Sequence, residues 1–215
     1  MNIQGFFVPQ THLSDIYDIE GQLRCTEKVH YTRQGISNND FAHTHKYKGL
    51  LEGTTQMQEG DLVVDKTDNS TYLCMAMRLT YYSNQANLWK CDSECSLYHL
   101  ANIYEGNKIT GKQMVRIKED IPCVQKDTNG RIKFFDASLL ESTIKLVYMQ
   151  YTPYVKIADR LLIDGNGYQI DSIDAASVKN VLILQLSEDK RKFENVVIEN
   201  DDLLDKYAIL DAGGA

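Results

Sequence analysis

The chain has 215 residues, 43% of them apolar, and a formal net charge of −7. That length suits one large domain or two small ones, and the acidity excludes a basic footprint for sequence-independent nucleic-acid binding. No run approaches the roughly twenty apolar residues of a membrane-spanning helix, and three prolines argue against a disordered linker.

Thirteen tyrosines against one tryptophan favour strands and contact surfaces over helices. The opening Met1-Asn2-Ile3-Gln4-Gly5 lacks the basic-then-apolar pattern of a secretory signal. Five cysteines without framework spacing fit a reducing compartment, so the expectation is a soluble protein made inside the cell.

In chain order, strand-like runs fall at 6–8, 24–31, 61–64, 72–81, 87–90, 95–100, 114–124, 144–151, 161–163, 168–174, 181–186 and 194–198. Turn signals separate them at Asp68-Asn69, Gly106-Asn107, Asn129-Gly130 and Gly165-Asn166-Gly167. Helical periodicity is scarce, with short turns expected only at Ser14–Leu23 and Ala137–Glu141. The polar segment 35–58 reads as a long loop, and the acidic stretch 199–215 as a tail. Many short strands between polar turns predict a mainly β protein of two tandem small β-barrel or sandwich modules, with long loops and little helix. The modules are expected at 1–92 and 93–198.

The tandem reading rests on a repeated phrase. Gly60-Asp61-Leu62-Val63-Val64-Asp65, a polar turn and Tyr72-Leu73-Cys74-Met75 match Ala158-Asp159-Arg160-Leu161-Leu162-Ile163-Asp164, a glycine turn and Tyr168-Gln169-Ile170. Each is an acidic lead-in, an apolar strand, a turn and a return strand opened by Tyr. Asp61 and Asp159 are expected to cap turns rather than to act as acids or bases.

Candidate chemistry is sparse. Cys91, Cys95 and His99 would share a helix face as zinc ligands, but the local pattern is a strand, which spreads them over about 26 Å. His43 and His45 have no further ligands nearby, and Glu119-Asp120, Asp171, Asp174 and 199–202 lack EF-hand spacing. Lys46, Lys48 and Lys190-Arg191-Lys192 read as solvated surface. Nucleophile-elbow, phosphate-loop and dinucleotide fingerprints are missing. The expectation is a non-enzymatic protein without metal or cofactor.

The second half, from about Glu94 to Asp189, resembles the head-closure (stopper, or head-tail adaptor) proteins of tailed bacteriophages. The residues that carry the likeness are Cys95-Ser96-Leu97-Tyr98-His99-Leu100, a second strand ending Ile117-Lys118-Glu119-Asp120-Ile121-Pro122-Cys123, and a close running from Val155 through Asp159, Gly165 and Tyr168 to Leu186. Ala158 replaces the Gly that many relatives place before the Asp. The resemblance implies a virion component, made in the host cytoplasm and located at the virion neck. It would form a ring beneath the portal or adaptor protein, help retain packaged DNA with passing contact, and join the tail proteins. Phe134, Phe135, Leu139 and Leu140, in the insert 125–143, are the candidate partner or channel loop, and 35–58 is a second working loop. The alternatives are a tail-terminator or baseplate β-barrel component, or a small β-barrel binding module outside virions.

Overall fold

A computed structural model describes residues 10–34, 46–79, 84–105, 108–128, 143–189 and 196–198. Every regular element among them is a strand. The first six are β1 (Gln10–Tyr17), β2 (Leu23–Arg33), β3 (Lys46–Leu51), β4 (Leu62–Asp65), β5 (Thr71–Leu79) and β6 (Asn84–Lys90). They close into a barrel in the order β1-β2-β3-β6-β5-β4. Then follow β7 (Ser93–Glu105), β8 (Lys108–Asp127), β9 (Lys145–Gln150), β10 (Arg160–Ile163), β11 (Asn166–Asp174), β12 (Val181–Glu188) and β13 (Val196–Ile198). The β8–β9 pairing closes β8-β7-β10-β11-β12-β9 into a second barrel, with β13 added in parallel at Met114–Arg116 of β8.

The two barrels share one connectivity. Laying β1–β6 over β7–β12 makes all six pairings coincide, each of them antiparallel. The correspondence holds residue by residue around β4 and β5, while β8 carries an extra irregularity opposite Cys95–Leu97 that β2 lacks. Ile16 pairs with Val63 as Leu97 pairs with Leu161, and Tyr72 pairs with Val63 as Tyr168 pairs with Leu161. A bulge after Cys74 has its counterpart after Ile170. Matching bulges matter because each fixes register and local bend.

The barrels are filled differently. The first core is aromatic: Tyr31 stacks on Tyr72 at 4.9 Å, and Tyr47 meets Tyr72 edge-on at 5.3 Å. Gly49 makes room, since a Cβ there would lie 2.9 Å from Leu88 Cδ1. The second core is aliphatic and sulfur-containing, with Leu97, Val147, Met149, Leu161 and Leu184 fully buried beside Cys95 and Cys123. A six-stranded barrel interior is narrow, so side-chain volume at one position dictates what faces it.

Three expectations are corrected. Ser14–Tyr17 completes β1 instead of opening a helical turn, because Ser14 and Ile16 alternate inward while Leu13 and Asp15 alternate outward. The segment 35–58 contains β3, whose Tyr47 and Gly49 pair with Leu88 and Ala86. Its Lys and Gly content hid it, because a narrow core asks for Gly49 where a strand pattern asks for a bulky residue. The β10–β11 turn is Asp164-Gly165, both at positive φ (50° and 79°), while Asn166 and Gly167 already belong to β11. Two residues at positive φ are the signature of a type I′ hairpin turn, whose twist suits the flanking strands.

Candidate functional site: the barrel junction and its repeat

The repeated acidic lead-in is one backbone device built twice. Asp61 N donates to Gln58 O at 3.2 Å, and Gln58 N donates to Asp61 Oδ2 at 2.8 Å. Asp159 and Lys156 repeat this at 3.2 and 2.8 Å. The third residue of each turn is left-handed, Gly60 at φ 86° and Ala158 at φ 72°, as a type II turn requires. Gly60 N donates to Cys74 O as Ala158 N does to Ile170 O, at 2.8 and 2.9 Å. Met57 and Val155, just upstream, plug the two cores. Asp61 and Asp159 therefore do cap turns.

Their side-chain partners come from different strands. Arg24 of β2 donates from Nε to Asp61 Oδ2 at 3.1 Å. His99 Nδ1 of β7 lies 2.6 Å from Asp159 Oδ1. Burial pushes the Asp61 carboxyl above its ordinary range, opposed by the Gln58 N–H and by Arg24.

The first of these turns is also where the barrels join. Buried Gln150 donates from Nε2 to Gly60 O at 2.9 Å and to Asp18 O at 3.0 Å. Asn180 Nδ2 donates to Glu59 O at 3.2 Å. The approach is close enough to demand glycine: a Cβ on Gly60 would lie 2.3 Å from Asn180 Cβ and 2.5 Å from its carbonyl oxygen. Beside the turn, Leu73, Met75 and Val181 form a buried cluster joined by Leu62, Trp89, Tyr148 and Val178. Trp89 meets Tyr148 edge-on at 4.8 Å across the junction.

Comparing equivalent positions shows how the copies have specialised. The junction face of the first barrel presents Leu62, Leu73, Trp89 and Cys91. In the second barrel the registers put Arg160, Gln169, Ser187 and Asp189 at those places. Arg160 Nε pairs there with Asp189, both nearly buried. The backbone bond Cys91 N to Thr71 O nevertheless recurs as Asp189 N to Gly167 O. One face is apolar and docked; its counterpart is polar and closed by an ion pair.

The loop before the turn shows the reverse. Aligned on their turns, Gly53, Gln56 and Glu59 of the first barrel correspond to Tyr151, Tyr154 and Ile157 of the second. Tyr154 is 51% exposed and Ile157 66% exposed.

Past Tyr98, β7 has no neighbour but β8 among the described residues. Met114 and Val115, which pair with Leu100 and His99, are still buried and flanked by β13, so the two-stranded β7–β8 ribbon extends beyond the barrel from Ala101 to Glu105. At roughly 3.3 Å per residue, Ala101–Glu105 projects about 17 Å. A cleft of about 660 Å³ opens where the barrels are linked, and Lys90, Asp92, Glu94, Asp120 and Asp164 line it. No histidine does.

The suspected metal ligands disperse. Cys95 is 1% exposed inside the second barrel, Cys91 sits at the junction and His99 faces Asp159. No group of three metal-binding side chains converges among the described residues. Asp174 is a turn cap, accepting from Ala176 N and Ser177 N at 2.9 and 3.0 Å. Lys46 stacks over Trp89 at 5.0 Å. Phe134, Phe135, Leu139 and Leu140 lie outside the described residues, as do His43, His45, the Lys190-Arg191-Lys192 run and the acidic tail.

The junction residues Gln150 and Asn180 were missed in sequence. Neither is unusual by type, and only the partner backbone gives them a role. Compared with known proteins, the chain matches no protein-family model and no curated protein.

Proposed function

We propose that the chain is a non-enzymatic structural protein of a tailed-phage virion neck, a head-closure connector. On this reading, copies form a ring under the portal or adaptor protein, help retain packaged DNA and receive the tail. The observation that carries the reading is the junction. Two barrels of one design are fixed to each other by buried amide-to-carbonyl bonds and a shared apolar cluster. That makes a stiff two-barrel body suited to bearing load between larger parts. The described residues meanwhile bring together turn caps and packed cores rather than converging polar groups in an apolar pocket.

The likeness of the Glu94–Asp189 segment to head-closure proteins supports a location at the neck. The projecting β7–β8 ribbon supports it, because a two-stranded ribbon is marginal in water by itself and gains stability against a neighbour. The test is particle-based: phage grown without this chain should package DNA but lose it, and should lack tails. A label on the chain should appear at the neck in negative stain. Label found on the tail tip or only on free protein would sink the reading.

A further inference from the structure

We propose that a second copy of this chain docks against the Tyr151–Ile157 loop, through the end of its first barrel that carries Leu79, in a head-to-tail contact. The inference rests on the neck reading only for closure into a ring.

The argument comes from the repeat. Within one chain, the lead-in loop of the first barrel seats on one end of the second. That receiving end is made by the close of β9, with Tyr148 and Gln150, and by the β11–β12 turn, with Val178 and Asn180. The contact is heterologous, since the loop of one barrel meets the end of the other. Among the described residues, each chain therefore keeps one unused loop, on the second barrel, and one unused end, on the first. A heterologous contact leaves such a complementary pair and propagates to a closed ring or a filament.

Four of the seven large apolar side chains that stand exposed among the described residues lie on this pair, including the two most exposed, Leu79 and Ile157; Leu13, Leu23 and Ile144 lie elsewhere. The unused loop carries Tyr151, Tyr154 and Ile157 at 37%, 51% and 66% exposure. The first barrel builds the same loop and turn with Gly53, Gln56 and Glu59, so the fold does not require apolar groups there. The unused end has Leu79, 76% exposed, at the close of β5, and its counterpart at the occupied end is Ala175. Apolar groups placed where the backbone has no use for them mark a contact surface.

The copy-to-copy contact does not reproduce the internal docking angle. Ala158 occupies the place of Gly60, where a Cβ meets the receiving backbone at 2.5 Å. The face beside it is polar, with Arg160 and Asp189 in place of Leu62 and Cys91. Contact through the loop alone, at a different angle, keeps the second barrel from stacking a third in the same way.

The test uses the full chain and two variants in sedimentation velocity, from micromolar to near-millimolar concentration. Tyr154→Gln/Ile157→Glu gives the loop the residues of the first barrel; Leu79→Asp blunts the end. Wild type should self-associate with rising concentration, and each variant alone should weaken association by about tenfold or more. The two variants mixed should form a one-to-one dimer and nothing longer, because each supplies the surface the other lacks. Circular dichroism checks that both are folded. Wild type that stays monomeric throughout overturns the proposal. So does a Leu79→Asp chain that associates as well as wild type, which would indicate loop-to-loop contact. A mixture that gives no dimer overturns it as well. Self-association with a label found away from the neck would instead refute the neck reading alone.

Discussion

Gly60 and Ala158 hold the same place in the same turn, and exchanging their residues separates the cost of backbone strain from the cost of breaking the junction. In Gly60→Ala the new Cβ meets Asn180 Cβ at 2.3 Å, its carbonyl oxygen at 2.5 Å and its carbonyl carbon at 2.8 Å. Two of these atoms are backbone, so no rotamer change relieves the clash. Left-handed alanine costs about 1–2 kcal/mol. The turn must then withdraw, and the Gln150 and Asn180 bonds to Gly60 O and Glu59 O, worth about 1 kcal/mol each, are lost with it. The expected total is about 3–4 kcal/mol, taken from the turn and the interface rather than from either core.

Ala158→Gly is the control. It relieves comparable strain but adds unfolded-chain freedom worth about 0.5–1 kcal/mol, and Ala158 is exposed, so the net change should stay within about 1 kcal/mol. Trp89, the single tryptophan, lies in the junction and reports it by fluorescence, while far-UV circular dichroism reports both barrels. In a urea titration the Gly60→Ala fluorescence change should precede the loss of strand signal. Coincident curves at the wild-type midpoint, or an Ala158→Gly cost equal to that of Gly60→Ala, would refute the reasoning.

The caps give a second expectation. Asp61→Ala and Asp159→Ala each remove the carboxylate that accepts from a turn N–H and faces Arg24 or His99, for a loss of about 2–3 kcal/mol in urea denaturation; a loss below about 0.5 kcal/mol would show that water replaces the carboxylate. The acid limb supplies a third. Ser177 and the Ala176 and Ser177 N–H groups hold the Asp174 carboxyl below its ordinary 3.8, so its stabilisation is present above that pH and fades as pH falls through the depressed value. The difference between wild type and Asp174→Asn should therefore be full at neutral pH and close in strong acid. Asp61 and Asp92 run the other way, because burial raises them: their contribution is largest below 3.8 and declines as pH rises through the raised values. Thiol chemistry is the fourth. Burial pushes Cys25 and Cys91 up to about 12, and Cys74, Cys95 and Cys123 are buried. Iodoacetamide at pH 8 should label folded protein slowly and all five thiols in urea; rapid labelling of Cys25 or Cys91 in the fold would contradict this burial.

The sequence by itself determined the class of fold, because strand signals are local. Alternation, β-branched and aromatic content, and turn residues such as Asp68-Asn69 all act over a few positions. They located most strands, among them β2, β4, β10 and β12, and they exposed the repeat, since the turn that needs Asp61 and a left-handed neighbour recurs at Asp159. They missed β1 and β3, where core dimensions rather than propensity selected Ser14 and Gly49. Only the tertiary structure decided that the copies share all six strand pairings, that Gly60 is glycine because Asn180 lies against it, and that Arg160 stands where Leu62 docks. Those are facts about what comes near in space. A residue at a junction is chosen by its partner on the other barrel, about ninety positions away for Gln150 and Gly60, and no local pattern records that choice.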